Sequence, residues 1–401
     1  MQVEVFHRLE ERFFYGLALA GGLIVGLGLL AAHYMETHGH IVTGMDNQVV
    51  WGTPHIFAIF LIVAASGVLN VASIGSVFGK TVYKTRAPLS GLLSIAMLAG
   101  GLMVLMLDLG RPDRLIVAMT YYNFKSIFTW NVFLYTGLFA VVAVYLWTLM
   151  EPRMNRYSKI AGFTAFVWRL VLTTGTGSIF GFLVARQAYA SAVLAPMFIV
   201  MSFGWGLAVF CIVQSAMFSW NKMELHPDIL KRMKNLLGIF VAGTAYFVAI
   251  YHVTNLYFAK QIDFTRFILV DGGIYPLLFW IGYVLVGTAI PLFLIYHPKL
   301  GKSCPAVIWA SVLVLFGAFA LLYVLIIGGQ AFPLEIFPGK EVTSSFLDGQ
   351  VAPYAPSAPE ILLGLGGIGV AFLITTIGVR VLHFLPQDDF VQLQGAGNIT
   401  D

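Results

Sequence analysis

Charge is scarce in this sequence: Asp, Glu, Lys and Arg make up 10% of its 401 residues, while 59% are hydrophobic. Composition of that kind excludes an ordinary soluble enzyme and points to a polytopic membrane protein. A mean hydropathy of +0.86 agrees. Cysteine is nearly absent. Cys211 and Cys304 stand alone, with no C-x-x-C pair and no four-cysteine ladder, so the chain is expected to hold neither an iron–sulfur cluster nor a structural zinc. Basic residues exceed acidic ones only slightly, 23 against 19. They lie in short segments where they set topology, which gives no reason to invoke nucleic acid. No small-residue cleavage site follows Met1 to Arg12 at signal-peptide distance, and the first apolar run reads as a retained helix.

What is abundant is apolar length. A run of about 20 apolar residues crosses a bilayer as a helix, and ten such spans are expected, at about 13–32, 51–77, 89–107, 128–150, 160–185, 193–218, 236–259, 273–296, 305–327 and 361–384. The fold class is therefore all-α, a single transmembrane helical bundle. Segments after the even-numbered spans carry Lys80, Lys84 and Arg86, then Arg153, Arg156 and Lys159, then Lys222, Lys231, Arg232 and Lys234, then Lys299 and Lys302. Those after the odd-numbered spans, although longer, carry only Arg111, Arg114, Lys125, Arg186, Lys260, Arg266 and Lys340. The positive-inside rule then puts both termini and the tail 385–401 in the cytoplasm, with the chain in the cell inner membrane. The His-bearing segment 33–50 and the long Pro- and Gly-rich loop 329–359 face the periplasm. A structureless loop of that length suits the docking of a partner.

Polar chemistry concentrates between Leu107 and Asn131, LDLGRPDRLIVAMTYYNFKSIFTWN. Asp108, Arg111, Asp113 and Arg114 crowd into one turn at the end of the third span. An ionisable group at a membrane boundary needs a partner or water, which makes the cluster a candidate site; a solvated loop whose charges pair among themselves is the alternative. Because spans alternate direction, Trp51, His55, Asp108, Arg111, Tyr122, Asn123, Ser126 and Trp130 share one outer level. His252, Asn255, Asp271 and Tyr275 share it from spans seven and eight.

A quinone is an apolar-tailed ring whose two carbonyls exchange two electrons and two protons, so its site needs a slot open to lipid, hydrogen-bond donors and a titratable group. Histidine ionises near neutrality, which suits His55 for proton exchange, with Asp108 and Arg111 as its electrostatic partners. Tyr122, Asn123 and Tyr275 could hydrogen-bond the carbonyls, and Trp51 and Trp130 could wall the ring. Aromatic belts mark the interfaces of any membrane protein, so each aromatic singly fits that role as well. A b-type haem would need facing histidines at matched depth, and only His55 and His252 lie within spans. A charge-coupled transporter would want acid near the midplane, where spans two to ten offer Ser66, Asn70, Gln214 and Thr244 but no Asp or Glu. A purely structural anchor for redox partners remains the rival from another class.

Three motifs in order carry a family resemblance. Trp51-Gly52-Thr53-Pro54-His55-Ile56-Phe57 resembles the opening of the helix that starts the conserved bundle of the NrfD/polysulfide-reductase membrane-subunit family. Asp108-Leu109-Gly110-Arg111-Pro112 resembles that family's D-L-G-R-P turn, and Asn123-Phe124-Lys125-Ser126 with Trp130 resembles the N-x-x-S-x-x-x-W start of the next helix. The WGTPHIF form is most similar to the DsrP-like branch, which serves DsrMKJOP complexes of dissimilatory sulfur metabolism. The resemblance implies a membrane subunit without haem or metal that binds quinone or quinol near the outer face. It implies a periplasmic ferredoxin-like iron–sulfur partner (DsrO-like), a periplasmic c-type cytochrome (DsrJ-like) and DsrM-like and DsrK-like subunits. On that expectation the chain is an oxidoreductase subunit, not catalytic alone.

Overall fold

A computed structural model describes residues 6–7, 11–221, 225–334, 349–382 and 384–386. Lys222 and Lys340 of the charge argument, residues 335–348 of the long loop and the tail from 387 lie outside the described residues. Ten long helices account for most of the rest: α1 Glu11–His38, α2 Thr53–Ser76, α3 Ala87–Leu107, α4 Ile127–Met150 and α5 Ser158–Gly181, then α6 Leu194–Trp220 and α7 Pro227–Tyr257. The last three are α8 Ile274–Tyr296, α9 Cys304–Ala331 and α10 Ala358–Leu382. Among the described residues, strand pairing is a two-residue antiparallel contact of Phe6–His7 with Leu385–Pro386. It puts the segment before α1 and the segment after α10 on one side of the bundle, as an even number of passes does.

Proline marks several starts. Pro54, Pro88, Pro227 and Pro305 sit in the first turns of α2, α3, α7 and α9, where a missing N–H breaks no bond. Pro291 lies inside α8, and the helix turns there differently: Leu278–Ala289 winds as a wide π-helix that ends just before it. Wider winding moves backbone away from a ring that an α-turn would strike.

Nine of these helices are long and apolar enough to cross a membrane among the described residues. The tenth, α5, falls short through Arg169, its threonines and its glycines, yet is 24 residues long. Four of its polar groups turn inward: Arg169, Thr173, Thr176 and Ser178 are all buried. Ser66 of α2 bonds Thr173 at 2.6 Å and the Arg169 carbonyl at 3.1 Å. Polar side chains that satisfy one another between helices are compatible with lipid outside.

The bundle is arranged about α2, of whose most apolar stretch 94% is buried, against 11% for α1. Close approach explains how α2 can be so enclosed: Gly67 lies against the backbone of Ser202, and Gly206 lies against Gly67 and Val68. A methyl group on either glycine would overlap main chain. At the periphery, α1 rests on α10, with Gly28 against Gly366.

Boundaries differ most from the expected spans at two places. α1 continues to His38, so His33 and His38 are helical and not part of a loop. α7 begins at Pro227, nine residues ahead of the expected Leu236, because Lys231, Arg232 and Lys234 belong to turns of the same helix. Hydropathy registers the apolar part of a helix, and charged turns that project beyond it resemble a loop.

Candidate functional site

The site lies at the end of the bundle remote from the paired termini, where α2 starts and α3 stops. Its approach segment is a turn nucleated by Asp46, whose Oδ1 accepts the N–H groups of Gln48 at 2.7 Å and Val49 at 2.6 Å. Gly52 precedes the helix and Pro54 opens it, so Trp51 stands just before α2 and His55 in its first turn. Across from them α3 ends at Asp108. Gly110 then takes φ +69°, a conformation that glycine adopts without strain, and turns the chain away beside the imidazole of His40.

There the structure brings three of the expected residues together. His55 Nδ1 lies 3.1 Å from Asp108 Oδ2, the Asp side chain 2% exposed and the His side chain 16%. The Trp51 indole stacks on the imidazole, centroids 5.5 Å apart and planes 16° from parallel. Phe180 meets the Trp51 ring edge-on at 5.6 Å and Phe128 at 6.4 Å. A carboxylate accepting from Nδ1–H fixes the tautomer, leaving Nε2 as the ring's acceptor. Nε2 takes no protein partner among the described residues, and neither does the buried Asp108 Oδ1. A histidine oriented from behind by a carboxylate, flanked by an indole and with its other nitrogen free, can take or give a proton to a planar ligand.

The other expected residues sit elsewhere. The sequence reading sets Arg111 beside Asp108, but Arg111 pairs with Asp113, Nε to Oδ1 at 2.9 Å and Nη2 to Oδ2 at 2.8 Å, both side chains well exposed. The Gly110 turn aims it outward. Hydrogen bonds from Arg111 hold the Asp113 carboxyl below the usual carboxylate range, and those from Asp113 raise Arg111 in return. Tyr122 packs on Phe124 and Phe133. Asn123 closes its own turn by accepting the Lys125 N–H, and Trp130 Nε1 donates to the Phe124 carbonyl at 3.0 Å. These residues form an exposed aromatic shelf on the outer side of α4. Tyr275 is buried between Phe267 and Tyr323, and His252 borders a separate apolar cavity with Met197, Tyr251 and Leu321.

Sequence reasoning missed the side chains that secure the start of α2. Glu360, fully buried, accepts Tyr354 Oη–H at 2.6 Å and the backbone N–H groups of Gly44 at 2.9 Å and Ser357 at 2.8 Å. Tyr354 Oη accepts the Thr53 N–H at 2.7 Å. The S-x-x-E pattern of Ser357 and Glu360, a helix-start signature, was the available signal. Gln330 and Arg186, which hold the Gln48–Trp51 turn, carry no comparable pattern.

Comparison with known proteins bears on this geometry. Residues 41–334, from the approach turn to just past α9, match the family model described as polysulphide reductase, NrfD. An Hdr-like menaquinol oxidoreductase integral membrane subunit of Archaeoglobus fulgidus is 29% identical, covering 93% of this chain and 94% of that protein. A putative dimethyl sulfoxide reductase membrane subunit of Halobacterium salinarum is 28% identical over 90% of this chain and 88% of its own length. A polysulfide reductase polypeptide of Wolinella succinogenes is 23% identical, over 71% and 96%. With its ten long helices and this match, the chain is a multi-pass integral membrane protein that belongs to the polysulphide reductase, NrfD family.

Proposed function

We propose that this chain is the quinone- or quinol-interacting subunit of a membrane redox complex, exchanging electrons between the quinone pool and an iron–sulfur partner docked at the end that carries His55. The observation behind the reading is the His55–Asp108 pair under the Trp51 indole. In the oxidising direction, His55 Nε2 accepts the proton of a quinol hydroxyl, and Asp108 steadies the resulting imidazolium. The second proton leaves to water at the same surface. The two electrons go one at a time to the partner's iron–sulfur cluster, which is the oxidant; this chain is expected to store none.

The name of the Archaeoglobus relative makes menaquinol the first substrate to try, and names of relatives acting on polysulfide and dimethyl sulfoxide favour a place in sulfur metabolism. On this reading the partners are a DsrO-like iron–sulfur subunit, a DsrJ-like cytochrome and DsrM- and DsrK-like subunits, with the termini cytoplasmic and the 329–359 loop periplasmic. The test is menadiol oxidation by the assembled complex carrying His55→Ala or Asp108→Asn. Loss of quinol-linked electron flow by about a hundredfold, at unchanged assembly, supports a site here; an anchor alone would keep the flow.

A further inference from the structure

The turn that delivers Trp51 and His55 has backbone groups that no helix satisfies, and one side chain satisfies three of them. Gln330 Oε1 accepts the N–H groups of Val50 and Trp51, both at 3.0 Å. Its Nε2 donates to the Trp51 carbonyl and to the Ile326 carbonyl, both at 2.9 Å. Both lone pairs of the amide oxygen and both amide protons are thus in use, which is the full capacity of a glutamine. The reversed amide would face two N–H donors with its own NH2, so the network admits one orientation. Gln330 is 2% exposed, so its amide has little water to turn to if these bonds are lost.

The clamp is itself braced. Arg186 Nη1 donates to the Gln330 carbonyl at 2.6 Å and Nη2 to the Gln48 carbonyl at 2.7 Å, so one guanidinium ties the end of α9 to the approach turn. Tyr189 Oη donates to the Ile326 carbonyl at 2.8 Å. This end of α9, Tyr323–Gly328, winds as a π-helix, a departure from regular winding of the kind found at functional positions. Trp51 therefore takes its backbone position from α9, through a residue 279 positions away in sequence, and passes it to His55 through the stacked rings.

We infer that Gln330, braced by Arg186, is a positioning residue for the quinone reaction: it sets the plane of Trp51 and with it the face that the indole and His55 offer to a ring. The inference rests on the quinone reading above. Gln330→Met keeps length and apolar bulk but removes all four bonds; Arg186→Lys keeps the charge but replaces the planar fork, whose two ends reach the two carbonyls, by a compact ammonium.

The experiment uses the assembled complex, with its amount in the membrane quantified. Its readouts are menadiol kinetics and the binding of HQNO, a fluorescent quinone analogue. Gln330→Met should assemble and raise both the KM for menadiol and the Kd for HQNO about tenfold, with kcat falling less, since misplacing the indole weakens capture of the ring first. Arg186→Lys should move both constants in the same direction by a smaller factor, and it decides the matter if Gln330→Met does not assemble.

Unchanged KM and HQNO binding in assembled variants would overturn the inference. So would failure of both variants to assemble, which would make the clamp a folding device alone. His55→Ala in the same assay separates the two claims. If it also leaves KM, kcat and HQNO binding untouched, the quinone reading falls; if it abolishes them while the clamp variants do not, only the positioning role falls.

Discussion

His55 Nδ1 and Asp108 Oδ2 meet at 3.1 Å, joining the first turn of α2 to the residue that ends α3. Among the described residues Asp108 Oδ1 is buried with no partner, and the carboxylate is held by its contact with His55. Asp108→Asn keeps the shape but not the charge, and an amide no longer selects the Nδ1–H tautomer. Menadiol turnover should fall about a hundredfold with the subunit still assembled. Turnover within twofold of the parent, measured on quantified complex, would remove Asp108 from the proton chemistry.

Arg111 and Asp113 are coupled to each other and to solvent, with no contact to Asp108. Because the folded Asp113 carboxyl is held below its unfolded value, whatever the pair contributes is present above the ordinary Asp pKa and fades as pH falls through the lowered one. Both side chains are well exposed, so water and salt screen the contact. Asp113→Asn should leave thermal stability at pH 7 and the pH dependence of turnover between 6 and 8 unchanged. A shifted pH profile would mean that this turn acts on the site after all.

Gly67 and Gly206 set how near α6 comes to α2. A side chain at either position meets backbone, which cannot rotate aside, so Gly67→Val should exceed the roughly 1–3 kcal/mol of ordinary overpacking. The expected readout is loss of folded subunit from the membrane. Gly16, whose added Cβ would meet nothing within 4 Å, is the control, and Gly16→Val should accumulate normally. Equal accumulation of the two variants would show that the helices separate easily.

The ten helices were legible because a bilayer selects for apolar length, and the inward-facing polar groups of α5 did not hide it. The start of α7 was hidden because charged helical turns look like loop. At the site, alternation of spans gives depth, and depth alone grouped Trp51, His55 and Asp108 correctly with each other but also with Arg111, Tyr122, Asn123, Trp130 and Tyr275. Azimuth around each helix separates these sets, and a sequence without strong periodicity does not supply it. Glu360 was readable as a helix start through Ser357. Gln330 was not, because a single amide closing an apolar run looks the same whether it caps a helix or clamps a distant turn.

Arg169 is a cation buried inside the bundle with one hydrogen bond, from Nη2 to Asn70 Oδ1 at 2.6 Å. The rings of Phe166 and Phe203 lie 5.0 Å and 5.1 Å from its guanidinium carbon, and Nε and Nη1 have no partner among the described residues. Two substitutions disturb it in opposite senses. Asn70→Leu leaves the charge in place and removes its acceptor, which should cost about 3–5 kcal/mol. Arg169→Met removes the charge and lets the flanking phenylalanines pack on an apolar side chain, a change that is often near neutral when a buried charge is replaced at similar volume. Thermal unfolding in detergent should therefore rank Asn70→Leu below Arg169→Met, with Arg169→Met close to the parent. The reverse ranking would mean that the guanidinium is held by more than Asn70 and two rings, and that the polar face of α5 is organised around it.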